Sequence, residues 1–184
     1  PGVWRETVAP NIQYLFDTNT MPHVLIRNAN GTFTFQEFAW TGRSAGDATT
    51  APNPTFVGSQ IKNINTFRNR LVLLADENVI LSAADAYDRF WPETVQTVID
   101  SDPIDISTGG QEINFLTSSL AFANTLLLFS RHGQFRLDTG ATTVGTSLTP
   151  KTATVTATTT FDQLDSVDPV GVGRTVYFGI PKGT

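Results

Sequence analysis

The chain has 184 residues, of which 40% are hydrophobic and only 16% charged, with a formal net charge of -5 and no cysteine. That length is enough for a sizeable core, as one domain or as a slice of a larger one. Without cysteine there are no disulfides, thiolate metal sites or cysteine nucleophiles, and an acidic chain without a Lys/Arg run is a poor candidate for sequence-specific nucleic-acid binding.

In chain order, the first predicted element is a hairpin. Val24-Leu25-Ile26-Arg27 and Thr32-Phe33-Thr34-Phe35 flank Asn28-Ala29-Asn30-Gly31, whose Asn and Gly suit the positive-φ positions of a tight turn. Residues 43–54, rich in Gly, Ala, Thr, Asn and Pro, read as a loop. A second hairpin follows from Leu71-Val72-Leu73-Leu74 and Val79-Ile80-Leu81-Ser82 about the turn Ala75-Asp76-Glu77-Asn78. Residues 84–91 are expected to make a short helical turn, ended by Pro92. The third hairpin pairs Leu126-Leu127-Leu128-Phe129 with Gln134-Phe135-Arg136-Leu137 across Ser130-Arg131-His132-Gly133. Residues 141–160 are Thr-rich, and the alternation over 152–160 favours a strand. A fourth unit opens at Val176-Tyr177-Phe178, with Pro181-Lys182-Gly183 as its expected turn. No apolar stretch is long enough for a membrane-spanning helix or a signal peptide.

The hairpins recur. Val24 to Leu71 is 47 residues and Leu71 to Leu126 is 55; aligning Val176 with Leu127 makes the last step 49. A strand-rich period of about 40–50 residues is a mark of propeller blades, small sheets that must stack to bury both faces. The first strand of each unit is a continuous apolar run, expected to be covered on both faces, and the second is mixed, as expected of an outer strand. The predicted fold class is therefore all-β, with propeller-like antiparallel blades, preferred over a sandwich of hairpins. The chain begins at Pro1 without Met, and the whole of 1–184 reads as part of one β-rich domain of a longer protein.

Several motifs run collinearly from about Trp4 to Phe178. They include Thr20-Met21-Pro22-His23, Arg43 through Gly46-Asp47, Pro54-Thr55-Phe56-Val57-Gly58, Phe67-Arg68-Asn69-Arg70-Leu71, Glu77-Asn78-Val79-Ile80-Leu81-Ser82, Asp100-Ser101-Asp102-Pro103-Ile104-Asp105, Leu148-Thr149-Pro150 and Pro169-Val170-Gly171. In this order and spacing the chain resembles the tail tubular protein B family, the tail nozzle proteins of short-tailed phages. The resemblance implies an internal segment of a structural virion protein in the phage tail, assembled in the host cytoplasm. It further implies a homohexameric ring, a tail tubular protein A adaptor above it, tail fibres near their junction, and viral DNA passing through the lumen. The family also looks propeller-containing.

Candidate sites are few, and each has a structural reading beside it. Asp100, Asp102 and Asp105 are the densest acidic cluster; hard cations want such oxygens. Turn chemistry is preferred, because the Gly and distal Glu of an EF-hand loop are missing. Arg68 and Arg70, together with Arg43 and Asp47, are structural or interface candidates. Pairing of the arginines with carboxylates is preferred over contact with DNA phosphates. His23 and His132 lack zinc-ligand spacing, and no Gly-x-Ser-x-Gly elbow is present. A polysaccharide-binding or -degrading tail module is the alternative. It requires two carboxylates across a cleft, for which Asp17, Asp47, Glu77, Asp85, Asp88 and Asp162 all qualify by type, with Trp4, Trp40 and Trp91 to stack on sugars. No cofactor is called for, and the expectation is a non-enzyme.

Overall fold

A computed structural model describes residues 2–109, 112–140 and 145–182. Twelve strands and no helix form among them. β1 (His23–Arg27) and β2 (Phe33–Glu37) make a two-stranded sheet. β3 (Ile61–Phe67), β4 (Arg70–Ala75), β5 (Asn78–Leu81) and β6 (Ile104–Ser107) form an antiparallel four-stranded meander in chain order. β7 (Leu116–Phe122), β8 (Thr125–Ser130), β9 (Gln134–Asp138) and β10 (Thr154–Thr159) form a second. β11 (Val170–Val172) and β12 (Thr175–Tyr177) close the set as a short hairpin. The all-β class and the three hairpin turns stand as read from the sequence, and β10 answers the predicted Thr-rich strand. Residues 141–144 and Gly183 lie outside the described residues.

The apolar runs explain the layering. Along β4, Val72 and Leu74 point to one face, and Leu73 and Ala75 to the other; along β5, Val79 and Leu81 oppose Ile80. Both faces are covered, so the period-2 pattern vanishes into a continuous hydrophobic run. On the first face, Val72, Leu74, Val79, Leu81 and Ile104 pack against Leu116, Leu126, Leu128, Phe135 and Leu137 of the second sheet. Register matches the packing: Leu74 pairs with Val79 and Leu128 with Phe135 across their ladders. Burying each such side chain contributes about 1.5–3 kcal/mol. On the second face, loop residues Phe16, Met21, Phe56, Phe90 and Trp91 close over Leu73 and Ile80.

Five expectations are corrected. Residues 84–91 are not helical: Ala83 and Ala86 form an isolated bridge, Thr41 bridges Arg89, and Asp85 takes φ +57. The amides of Ala84 and Asp85 donate to Ser101 and Asn69, so the backbone bonds that a helix would use go to other segments. The second strands of the units, β5 and β9, are interior; β6 and β10 are the outer ones. The first strand of the first unit is not covered on both faces, since Leu25 and Ile26 are exposed. The last unit pairs backward: Val170↔Tyr177 and Val172↔Thr175 make β12 the second strand of a hairpin. The predicted propeller is not seen: the described residues form two four-stranded antiparallel sheets and two two-stranded hairpins. Among the described residues, no helix is long and apolar enough to cross a membrane.

Candidate functional site

Of the polar residues singled out from the sequence, Arg68, Arg70, Asp100 and Asp102 meet at the junction between the two four-stranded sheets. The β3–β4 turn consists of Arg68 and Asn69, with φ of +47 and +57. Two left-handed residues match the twist of a two-residue hairpin. This turn swings Arg68 and Arg70 to one end of the junction, where they line an open cleft of about 710 Å³ with Asp85, Asp100, Asn124 and Leu148.

Arg70 is 1% exposed. It donates from Nη1 to the carbonyls of Ser82 at 2.7 Å and Asp102 at 2.6 Å, and from Nη2 to those of Asp100 at 2.9 Å and Leu148 at 3.3 Å. The first three carbonyls flank β5 and β6; the fourth belongs to the approach to β10, so one guanidinium ties the two sheets together. The expected partner was a carboxylate. Instead, a fork of N–H donors meets chain turns, whose carbonyls have no ladder partner and need one when buried. Burial lowers the Arg70 pKa from its ordinary value, and the charges of Asp102 and Asp85 partly oppose that shift.

Arg68 repeats the device at the surface, donating to the carbonyls of Asn124 at 3.0 Å and Thr146 at 3.2 Å. Further along, Asn65 Nδ2 donates to the carbonyl and Oγ of Ser119, each at 3.1 Å, and Ser119 Oγ donates to Asn63 Oδ1 at 2.7 Å. Edge strand β3 is thereby laced to edge strand β7.

The acidic cluster is dispersed into turn and strand roles. Asp102 Oδ2 accepts from the amide of Ile99 at 3.0 Å, and its backbone carbonyl receives Arg70. Asp105 accepts from the amide and hydroxyl of Thr55 and from Asn78. Asp100 offers its carbonyl to Arg70. The structure thus brings Asp100 and Asp102 together with Arg70 through their main chain, and sends the Asp105 carboxylate to Thr55.

Arg43 lies apart from this junction. It is 5% exposed, stacks over Trp91 at 5.3 Å from the ring centre and donates to Asn53. Burial lowers its pKa, with Asp47 opposing. Arg43, Ala45, Ala51 and Pro54 turn inward, so the predicted 43–54 loop leaves mainly 47–50 on the surface. Asp47 holds that tip, accepting from the amides of Thr49 and Thr50, both at 2.8 Å, and from the Thr50 hydroxyl at 2.9 Å. The Thr50 amide, then the Thr49 amide, then the Thr50 hydroxyl hold its carboxyl below the ordinary value. A depressed folded pKa contributes stability above the unfolded pKa and loses it as pH falls through the folded one. Asp47→Ala is therefore expected to destabilise at neutral pH, with the gap to the parent closing as pH falls below the ordinary aspartate range and through the lowered folded pKa. Urea midpoints across that range check this; a gap that does not change with pH counts against the carboxylate.

The carboxylates that qualified for sugar chemistry are mostly engaged in holding turns or segments. Asp17 accepts from Asn19, Glu77 from the amide of Asn114, Asp88 from the Thr41 hydroxyl, and Asp162 faces His132 Nδ1 at 2.9 Å. Trp91 is buried against Phe16 and Trp40 packs on Phe38 and Phe90, while Trp4 is exposed. His23 stacks on Phe35. Sequence reasoning missed the Asn63, Asn65 and Ser119 lace; the available signal was the alternation of Ile61, Asn63 and Asn65 on one side of an otherwise polar strand.

This is an arrangement for holding sheets together, built from side chains that bond main chain. Comparison with known proteins agrees. The family model described as Bacteriophage nozzle protein matches residues 1–184. The chain is also 40% identical over 182 residues to Tail tubular protein gp12 of Escherichia phage T7; the match covers 99% of this chain and 22% of that protein. The chain thus spans about a fifth of the length of that relative. It belongs to the bacteriophage nozzle protein family and is a structural protein of the phage tail.

Proposed function

We propose that this chain supplies part of the wall of the tail nozzle through which the viral genome leaves, its two meanders being successive blades of a propeller completed by the rest of a longer protein. The observation that carries the reading is the recurrence of one inner strand. β3, β7 and β11 begin at Ile61, Leu116 and Val170, steps of 55 and 54 residues. β3 lies beside β7 through the Asn63, Asn65 and Ser119 lace. β11 comes up to β7 in its turn, close enough that a Cβ on Gly171 would sit 3.2 Å from Phe122. The outer strands β6 and β10 touch far less, as blades radiating from an axis would. In this reading β11 and β12 open a third blade.

Sheets stapled through buried main-chain bonds resist deformation, which suits a conduit that must keep its bore while DNA passes. The acidic balance keeps the phosphate backbone from sticking. The partners that go with this reading are further copies of the protein in a hexameric ring, a tail tubular protein A adaptor and the tail fibres; closure of such a ring requires one repeated heterologous contact. Electron cryomicroscopy of the full-length protein assembled with its adaptor tests the proposal. The expected map shows residues 61–177 as adjacent radiating sheets in the channel wall. A map in which β11–β12 leaves β7, or in which this segment lies off the wall, overturns it.

A further inference from the structure

The exposed tip of the β1–β2 hairpin carries Asn30-Gly31, the one Asn-Gly pair in the sequence. Gly31 sits at φ +84, with open space where a side chain would be, so no neighbouring side chain crowds the turn there. Asn30 folds its side chain back along the turn: Oδ1 accepts from the Thr32 hydroxyl at 2.7 Å and from the Thr32 amide at 3.1 Å. Two donors on one carbonyl oxygen are the elements of an oxyanion hole. They draw electron density from Cγ and fold the Asn30 side chain back along the turn.

We infer that Asn30 is a site of spontaneous deamidation, activated by Thr32. The Gly31 nitrogen, freed of its proton by hydroxide and released from the carbonyl of Asn28 that it bonds at 3.0 Å, attacks Asn30 Cγ. An N–Cγ bond forms and the oxygen takes the negative charge, stabilised by the two Thr32 donors. The Cγ–Nδ2 bond then breaks, and Nδ2 takes up protons from water and leaves as ammonia. Water opens the resulting succinimide. Addition at Cγ gives aspartate, and addition at the backbone carbonyl gives isoaspartate with the chain rerouted through the side chain. The net reaction is amide plus water to carboxylic acid plus ammonia, with no oxidant or reductant. Either product places a new anion at the hairpin tip, three residues from Arg27 on one side and three from Phe33 on the other.

The test is incubation of the folded chain at mildly alkaline pH, followed by peptide mapping for amide-to-acid conversion and enzymatic methylation for isoaspartate. Conversion is expected at residue 30 ahead of every other asparagine, faster as pH rises. Thr32→Val, which removes the hydroxyl donor and keeps the branched shape, is expected to slow it roughly three- to tenfold, the scale of one net hydrogen bond. Gly31→Ala, which shields the attacking nitrogen, is expected to slow it further. Circular dichroism confirms that each variant is folded before its rate is read. Conversion appearing first at another asparagine, or a Thr32→Val rate equal to or above the parent's, overturns the inference.

Discussion

Arg70→Ala is expected to remove roughly 3–5 kcal/mol of folding stability, the scale of stripping one partner from a buried charged contact. Four carbonyls, those of Ser82, Asp100, Asp102 and Leu148, lose their donor at once. The side chain they surround is itself 1% exposed, at the inner edge of the open cleft. Each stranded buried acceptor costs about 1–3 kcal/mol before relaxation. Arg70→Lys is expected to recover part of the loss, since an ammonium has three donors but lacks the planar fork that spans two sheets. Arg70→Met keeps length and removes the charge, and it too leaves the carbonyls without donors. Urea unfolding of the three variants ranks them; an Arg70→Ala protein within about 1 kcal/mol of the parent removes the staple from the account of stability.

Trp91→Ala is expected to cost about 3–5 kcal/mol, the range for a large aromatic deleted from a core. Trp91 stacks on Phe16 with ring centres 4.0 Å apart and planes 9° from parallel, and it carries Arg43 on its other contact. It is the keystone of the irregular layer that covers Leu73 and Ile80. Its loss opens that layer and not the inter-sheet core, so amide exchange is expected to rise around Phe16, Met21 and Arg43 before it rises in β8. A Trp91→Ala, Arg43→Ala pair is expected to cost less than the sum of the single changes, because both remove the same contact. Exchange that rises uniformly across both sheets contradicts this division of the core.

The hairpins that were readable in advance share one trait. Asn28 to Gly31, Asp76 to Glu77 and Arg131 to Gly133 place polar or small residues between unbroken apolar or alternating runs, which is how a turn differs from a strand in one dimension. Two of the hairpins that escaped notice turn on Arg68-Asn69 and Ala123-Asn124. Arg68, Asn69 and Ala123 adopt positive φ without being glycine, so no local mark separates them from the strands. β3 and β7 are also half polar, their Asn and Ser serving each other across the sheet junction. β6 has only four residues, too few for alternation to register.

Arg70 shows the same limit at the level of a site. Its position at the start of an apolar run was legible in the sequence. Its partners were not, because carbonyls of turns at 82, 100, 102 and 148 carry no residue-specific signature and become neighbours only after two sheets fold. The Asp100, Asp102 and Asp105 cluster is the converse: close in sequence, yet sent to different partners, since Asp100 and Asp102 lie in the turn before β6 and Asp105 on β6 itself.

By itself the sequence determined the all-β class, the three Gly-, Asn- or Asp-marked hairpins, their regular recurrence, and the likeness to phage nozzle proteins. These rest on local periodicity, turn chemistry and ordered motifs, all of which are written along one dimension. Only the tertiary structure decided which strands are interior, that residues 84–91 bridge and do not wind, and that Arg70 staples two sheets through main-chain carbonyls. Those outcomes depend on which backbone groups are left unpaired when distant segments meet. The same need to satisfy buried polar groups that ended the expected helix is what gave Arg70 its partners.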